Sequence, residues 1–172
     1  MELPLDRCTV RSWRPSDVTR LAREANDRSI WLNVRDRFPH PYSLADAEAF
    51  VERCAEESPE CNFAITVDDQ PVGAIGLILG EDIYRRTAEI GYWLGADWRG
   101  QGIGTDALEG VSDWAFTHFQ LQRIFARVFT SNPASARILE KACFTLESTA
   151  RRVAIKDGRV IDEWIYVRLR DD

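Results

Sequence analysis

Trp98-Arg99-Gly100-Gln101-Gly102-Ile103-Gly104-Thr105 is the stretch on which the fold turns. Residues 87–95 before it read as a strand. After it Ile103, Ala107, Leu108, Val111, Trp114, Ala115 and Phe119 recur at helical spacing for about four turns. Glycines without a Cβ let the backbone turn tightly and approach a ligand, and the helix start that follows offers unpaired N–H groups at the positive end of its dipole. Such a turn is built to hold a pyrophosphate. Arg99 adds a charged donor beside it. The alternative reading is a glycine-rich connection that binds nothing. Two other phosphate loops fail on the residues. Thr105 stands where a P-loop needs Lys, and the G-x-G-x-G run, with the next strand ending in Thr130-Ser131-Asn132, does not match a dinucleotide fingerprint closed by an acid.

Working outward, residues 9–13 alternate like a strand, and Val18, Leu21, Ala22 and Ala25 share one helical face after Pro15-Ser16-Asp17. Residues 29–42 form an aromatic, proline-rich loop or short helix. Ser43 is the expected N-cap of a helix with Ala47, Phe50, Val51 and Cys54 on its apolar stripe. Residues 63–67 and 72–79 read as strands joined across Asp68-Asp69-Gln70-Pro71. Beyond the long helix, residues 124–129 read as a buried strand and 133–142 as a helix. Two final strands meet at Asp157-Gly158. The expected fold is mixed α/β, with about seven mostly antiparallel strands and about four helices.

With 172 residues, 45% of them hydrophobic, the chain is expected to form one domain over residues 1–172 around a single core. The net charge of −6 argues against nucleic acid as a partner, which calls for a basic face. All but two of the 22 basic residues are arginine, spread along the chain without clustering. No apolar run reaches the roughly 20 residues of a membrane span, and the first residues show no targeting signal. A soluble, cytoplasmic protein is expected. Cys8, Cys54, Cys61 and Cys143 lack C-x-x-C spacing and only His40 and His118 could join them, so no metal site is expected. Reduced, mostly buried thiols are the expected state, with Cys54 and Cys61 a pair to check.

Arg99-x-x-Gly102-x-Gly104 resembles the acetyl-CoA pyrophosphate loop, R/Q-x-x-G-x-G/A, of the GNAT superfamily of N-acetyltransferases. Ala88-Glu89-Ile90-Gly91-Tyr92-Trp93-Leu94, the loop itself and Asn132-Pro133-Ala134-Ser135 together resemble the branch of ribosomal-protein-alanine N-acetyltransferases, and the order of elements agrees over nearly the whole chain. The resemblance implies acetyl-CoA as co-substrate, without a metal. Its pyrophosphate would lie on Arg99, Gly100, Gln101, Gly102, Ile103, Gly104 and Thr105, with Trp93, Leu94, Asn132 and Ser135 completing the contacts. It implies too that the strand around Trp93 and Leu94 splays from the strand around Phe129, opening a gap for the pantetheine arm. Backbone N–H groups there would stabilise the oxyanion.

An amine is protonated near neutral pH, so its attack on a thioester needs a proton acceptor. Glu89 is the candidate base, with partial burial expected to raise its pKa; the competing reading is a strand glutamate paired with Arg127 or Arg123. The resemblance implies that Ser135, the serine of N-x-x-S, gives a proton to the departing thiolate; the competing reading is a first-turn serine facing solvent. The tyrosine that many members use would fall at Leu139. Asn132 before Pro133 also makes an N-cap without any ligand. Cys143-Phe144 replaces the branch's usual Gly-Phe, so the preceding helix is expected to end differently.

The resemblance implies that the acceptor enters between residues 30–42 and the turn near Lys156 to Arg159, so that Trp31 and Tyr42, with Phe38 and His40, are candidates to line its pocket, although aromatics beside prolines also pack under loops. The expected acceptor is the α-amino group of a protein or peptide, with a small-molecule amine such as a polyamine, an antibiotic or an amino-acid derivative as the alternative. A non-catalytic acyl-CoA-binding module and a longer acyl donor such as succinyl-CoA are the other readings. An exposed sheet edge would serve for homodimer pairing.

Overall fold

A computed structural model describes residues 1–170. The elements run β1 (Glu2–Pro4), β2 (Thr9–Ser12), α1 (Val18–Ala25), α2 (Arg28–Trp31), α3 (Leu44–Glu56), β3 (Asn62–Val67), β4 (Gln70–Leu79), β5 (Thr87–Leu94), α4 (Ile103–His118), β6 (Arg123–Phe129), α5 (Pro133–Lys141), β7 (Thr145–Lys156) and β8 (Arg159–Leu169). The architecture is the mixed α/β one expected, with eight strands and five α-helices among the described residues in place of about seven and about four. The additions are β1, of three residues, and α2, of four, both too short to show a period.

The strands are ordered β1-β2-β3-β4-β5-β6-β8-β7. The pairs β1–β2, β2–β3, β3–β4, β6–β8 and β7–β8 are antiparallel, and β5–β6 is parallel. The β5–β6 ladder joins Thr87 to Arg123, Ala88 to Ile124 and Glu89 to Phe125. It ends there, although β5 runs on to Leu94 and β6 to Phe129. Contacts gather the described residues into two compact units, Met1–Gly76 with Tyr92–Ala107, and Leu77–Gly91 with residues 108–170.

In the first unit the core joins Trp13, Leu21, Ala25, Tyr42, Ala47, Val51 and Cys54 to Ala64 and Ala74 of the strands, with Phe38, Phe50 and Trp93 packed against it. The helical stripes face this core because their apolar residues recur every three or four positions. Ser43 caps α3 as expected, in a capping box with Asp46. The β3–β4 turn is tighter than expected. Asp68 and Asp69 both take positive φ, Val67 faces Gln70, and Gln70 and Pro71 already belong to β4. Buried Arg11 ties β2 to this turn and to the approach of α1, bonding Asp17 at 2.8 and 3.0 Å and Asp69 at 2.9 Å.

In the second unit Leu108, Val111, Ala115 and Phe116 of α4 are buried, as are Ile124, Ala126 and Val128 of β6 and Ala136 and Leu139 of α5. The β7–β8 hairpin closes at Asp157-Gly158, where Lys156 faces Arg159. The end of α5 departs from expectation, for Cys143 adopts the left-handed conformation itself, at φ +64°. The Phe144 amide donates to the Leu139 carbonyl at 2.9 Å and the Cys143 amide to Glu140 at 3.2 Å, a Schellman closure with cysteine in the glycine position.

Cys8, Cys54 and Cys61 are buried, Cys143 is exposed, and all four are free thiols, so Cys54 and Cys61 are not bridged. Burial pushes the Cys8 and Cys54 thiols up to about 12 and Cys61 to about 11, which keeps them protonated at neutral pH. Among the described residues no helix is long and apolar enough to cross a membrane, and no cluster of His, Cys, Asp and Glu is placed to hold a metal.

Candidate active site

The glycine turn lies in the first unit. Gly100 and Gly102 take φ of +76° and +83°, a region closed to most side chains, and a Cβ on Gly100 would point into open space. The first bond into α4 runs from the Asp106 amide to the Gly102 carbonyl at 3.0 Å. The amides of Ile103, Gly104 and Thr105 precede it and have no acceptor within the helix. An exposed backbone turn followed by such donors fits a pyrophosphate.

Arg99 does something the sequence did not show. Its Nε donates to the Leu94 carbonyl at 3.0 Å, Nη1 to Ser29 Oγ at 2.9 Å and Nη2 to Asp27 Oδ2 at 3.2 Å. The guanidinium thus pins the start of α2 to the end of β5, and a second cation lies against the glycine turn. Arg7 lies against Gly102, where a Cβ would come within 2.9 Å of its Nε, and its Nη1 donates to the Gln101 carbonyl at 3.3 Å. Asp106 accepts from the Arg7 amide at 2.8 Å and so holds that segment to the first turn of α4. Burial would raise the Asp27 carboxyl, but hydrogen bonds from the Ser29 amide and hydroxyl, with the Arg99 charge, hold it below the usual range.

The second unit carries a cavity of about 560 Å³ on the sheet face. Glu89 of β5 lines it, one-fifth exposed, beside Arg127 of β6, whose Nε stands 3.9 Å from Glu89 Oε2. Arg127 Nη1 lies 3.4 Å from Glu163 Oε2 on β8. Both glutamates reach Arg127 because β6 lies between β5 and β8 and alternate side chains share a sheet face. Of the two arginines weighed against Glu89, Arg127 is therefore its neighbour. Arg123 instead binds Glu147 through two contacts of 2.6 Å. Ile78, Tyr84, Phe125 and Ile165 give the cavity apolar walls.

Asn132 caps α5, its Oδ1 accepting from the Ser135 amide at 3.2 Å, with Pro133 at the first helical position. Ser135 is half-buried in the first turn of that helix. Trp93 packs on the first unit's core with its ring 5.9 Å from Phe38, and Leu94 is buried. Tyr42 is a core residue, 4.8 Å from the Phe38 ring, and burial pushes its hydroxyl up to about 12. Trp31 stacks on His40 under Arg28. Neither Trp31 nor Tyr42 lines the cavity that holds Glu89. The sequence reading missed Glu163 and Arg7. Nothing in their neighbours marks them, since each acts through contacts made across the fold.

The family described as acetyltransferase (GNAT) domain matches residues 7–145. The uncharacterized N-acetyltransferase p20 of Bacillus licheniformis is 27% identical over 169 residues, 96% of this chain and 94% of that protein. The ribosomal-protein-serine acetyltransferase of Escherichia coli (strain K12) is 29% identical over 109 residues, 63% of this chain and 60% of that protein. The structure of Mycobacterium smegmatis RimJ in complex with CoA-disulfide superposes with a TM-score of 0.86 at 25% identity, covering 98% of this chain and 86% of that one.

Proposed function

We propose, since this chain belongs to the acetyltransferase (GNAT) domain family and is an N-acetyltransferase, that it carries the acetyl group of acetyl-CoA to the α-amino group of a protein or peptide. The observation that carries this reading is Glu89, a partly exposed carboxylate in the wall of a cavity at the end of the β5–β6 ladder. Both substrates bind before reaction. Glu89, directly or through water, takes the proton that the ammonium must lose. The freed nitrogen lone pair attacks the thioester carbon, and the new C–N bond forms as the C–S bond breaks. Ser135 delivers a proton to the departing sulfur. The exposed turn at Gly100 and Gly102 and the first amides of α4 hold the pyrophosphate, with Arg7 beside them. The cytoplasm, which supplies acetyl-CoA, is the proposed compartment.

A small-molecule amine is the second reading, favoured by the cavity's volume, which falls within the range of small-ligand sites. Mass spectrometry of peptides incubated with the enzyme and acetyl-CoA separates the two. Acetyl on the α-nitrogen of a free N-terminus, and none on the same peptide with its N-terminus blocked, supports the first reading. Modification of small amines alone supports the second.

A further inference from the structure

Arg127 occupies a position in the cavity that acetyl transfer alone does not call for. It rises from β6 between a carboxylate on each neighbouring strand, 3.9 Å from Glu89 and 3.4 Å from Glu163. Both contacts are at the loose end for ion pairs, the Arg127 side chain is 37% exposed, and its guanidinium rests over the Phe125 ring at 5.6 Å. The other arginine of the cavity is held quite differently, since Arg123 and Glu147 meet through two contacts of 2.6 Å and cancel each other. Arg127 is thus the more loosely held of the two arginines that line the cavity, with Glu89 beside it in the lining and Glu163 next to it on β8.

We propose that Glu89 and Glu163 form the seat of the acceptor's ammonium, that Arg127 is the resident cation the acceptor displaces, and that the acceptor is a single-ammonium amine bearing an apolar group. This rests on the reading above that Glu89 faces the amine. A cation standing between two carboxylates marks where another cation is stabilised, and long contacts make the exchange cheap. Beside Glu89 and Arg127 the cavity is walled by Ile78, Tyr84, Phe125 and Ile165, which suit an apolar substituent. A second ammonium, as in a polyamine, would find Glu147 already bound to Arg123, and an acidic substituent would find Arg123 bound to Glu147.

The test is steady-state kinetics at saturating acetyl-CoA with four acceptors. These are a peptide with an N-terminal phenylalanine, the same peptide with an N-terminal glutamate, phenethylamine and spermidine. The proposal expects the phenylalanine peptide or phenethylamine to exceed the other two by about tenfold or more in kcat/KM, the scale on which an apolar pocket discriminates. Which of those two leads tells a peptide from a small molecule as the source. Glu163→Gln should raise the amine KM about tenfold, the worth of one hydrogen bond to a charge, with kcat held within about twofold. Glu163→Asp, which keeps the charge, should recover part of that loss, and a purely structural Glu163 would not split KM from kcat. Arg127→Met should lower the amine KM. A raised KM in Arg127→Met would instead show the guanidinium binding an acidic acceptor, and that result, or preference for spermidine, overturns the proposal while leaving acetyl transfer intact. Acetyl-CoA binding with no amine acetylated overturns the transfer reading and this inference with it.

Discussion

Cys143 shows how much one position reveals. A side chain at φ +64° carries a steric cost that glycine does not, and glycine is what a Schellman closure ordinarily selects. Cys143→Gly should raise stability by about 0.5–1 kcal/mol, the usual gain less the added freedom of the unfolded chain, read as a higher denaturant midpoint at unchanged slope. A lower midpoint would show that the thiol does more than fill the site. Asp27 carries a different signature. Its carboxyl lies below the ordinary value of 3.8 when folded, so it favours the folded state above that pH and loses this contribution as pH falls through the lower folded value. Asp27→Asn should therefore destabilise at pH 7 and converge on the wild type at strongly acidic pH, as followed by thermal melts across that range. No local pattern signals this pairing, because Arg99 is separated from Asp27 by 72 positions.

Elements with a long apolar period were legible, and those whose reason is local were legible to within a residue or two. α4 spans Ile103–His118 where residues from 103 onward showed the helical stripe, and α3 begins at the serine expected to cap it. β1 escaped notice because three residues make no pattern, and its place is set by pairing Leu3 with Val10. α5 owes its start to Asn132, so Asn132→Ala should cost about 1 kcal/mol, measured by thermal or denaturant melting; a change near zero would mean that water replaces the cap without loss. Gly73 of β4 is a matter of clearance, since a Cβ there would overlap the Trp93 carbonyl oxygen. Gly73→Ala should destabilise by about 1–3 kcal/mol as the strands part, again by denaturant midpoint.

For the whole molecule, the reaction class was readable and the acceptor was not. Three short motifs lying in the right order on strand, turn and helix carry the first, because the proposed pyrophosphate site asks for a backbone path at positive φ, which Gly100 and Gly102 take. The second depends on which side chains a strand order of β5-β6-β8 brings to one face, and Glu163 is 74 positions from Glu89 in the chain. The net charge of −6 likewise said nothing of a cavity-lining arginine that stands between Glu89 in the same lining and Glu163 on β8. The central claim is that Glu89 takes the proton of an amine that attacks acetyl-CoA. It is tested by following release of free CoA thiol with and without a peptide amine, in the wild type, Glu89→Gln and Ser135→Ala, each checked for acetyl-CoA binding. The account predicts amine-dependent release in the wild type, a fall of about a hundredfold or more in Glu89→Gln near neutral pH, a smaller fall in Ser135→Ala, and acetyl-CoA binding preserved in all three. Full amine-dependent release by Glu89→Gln would contradict it.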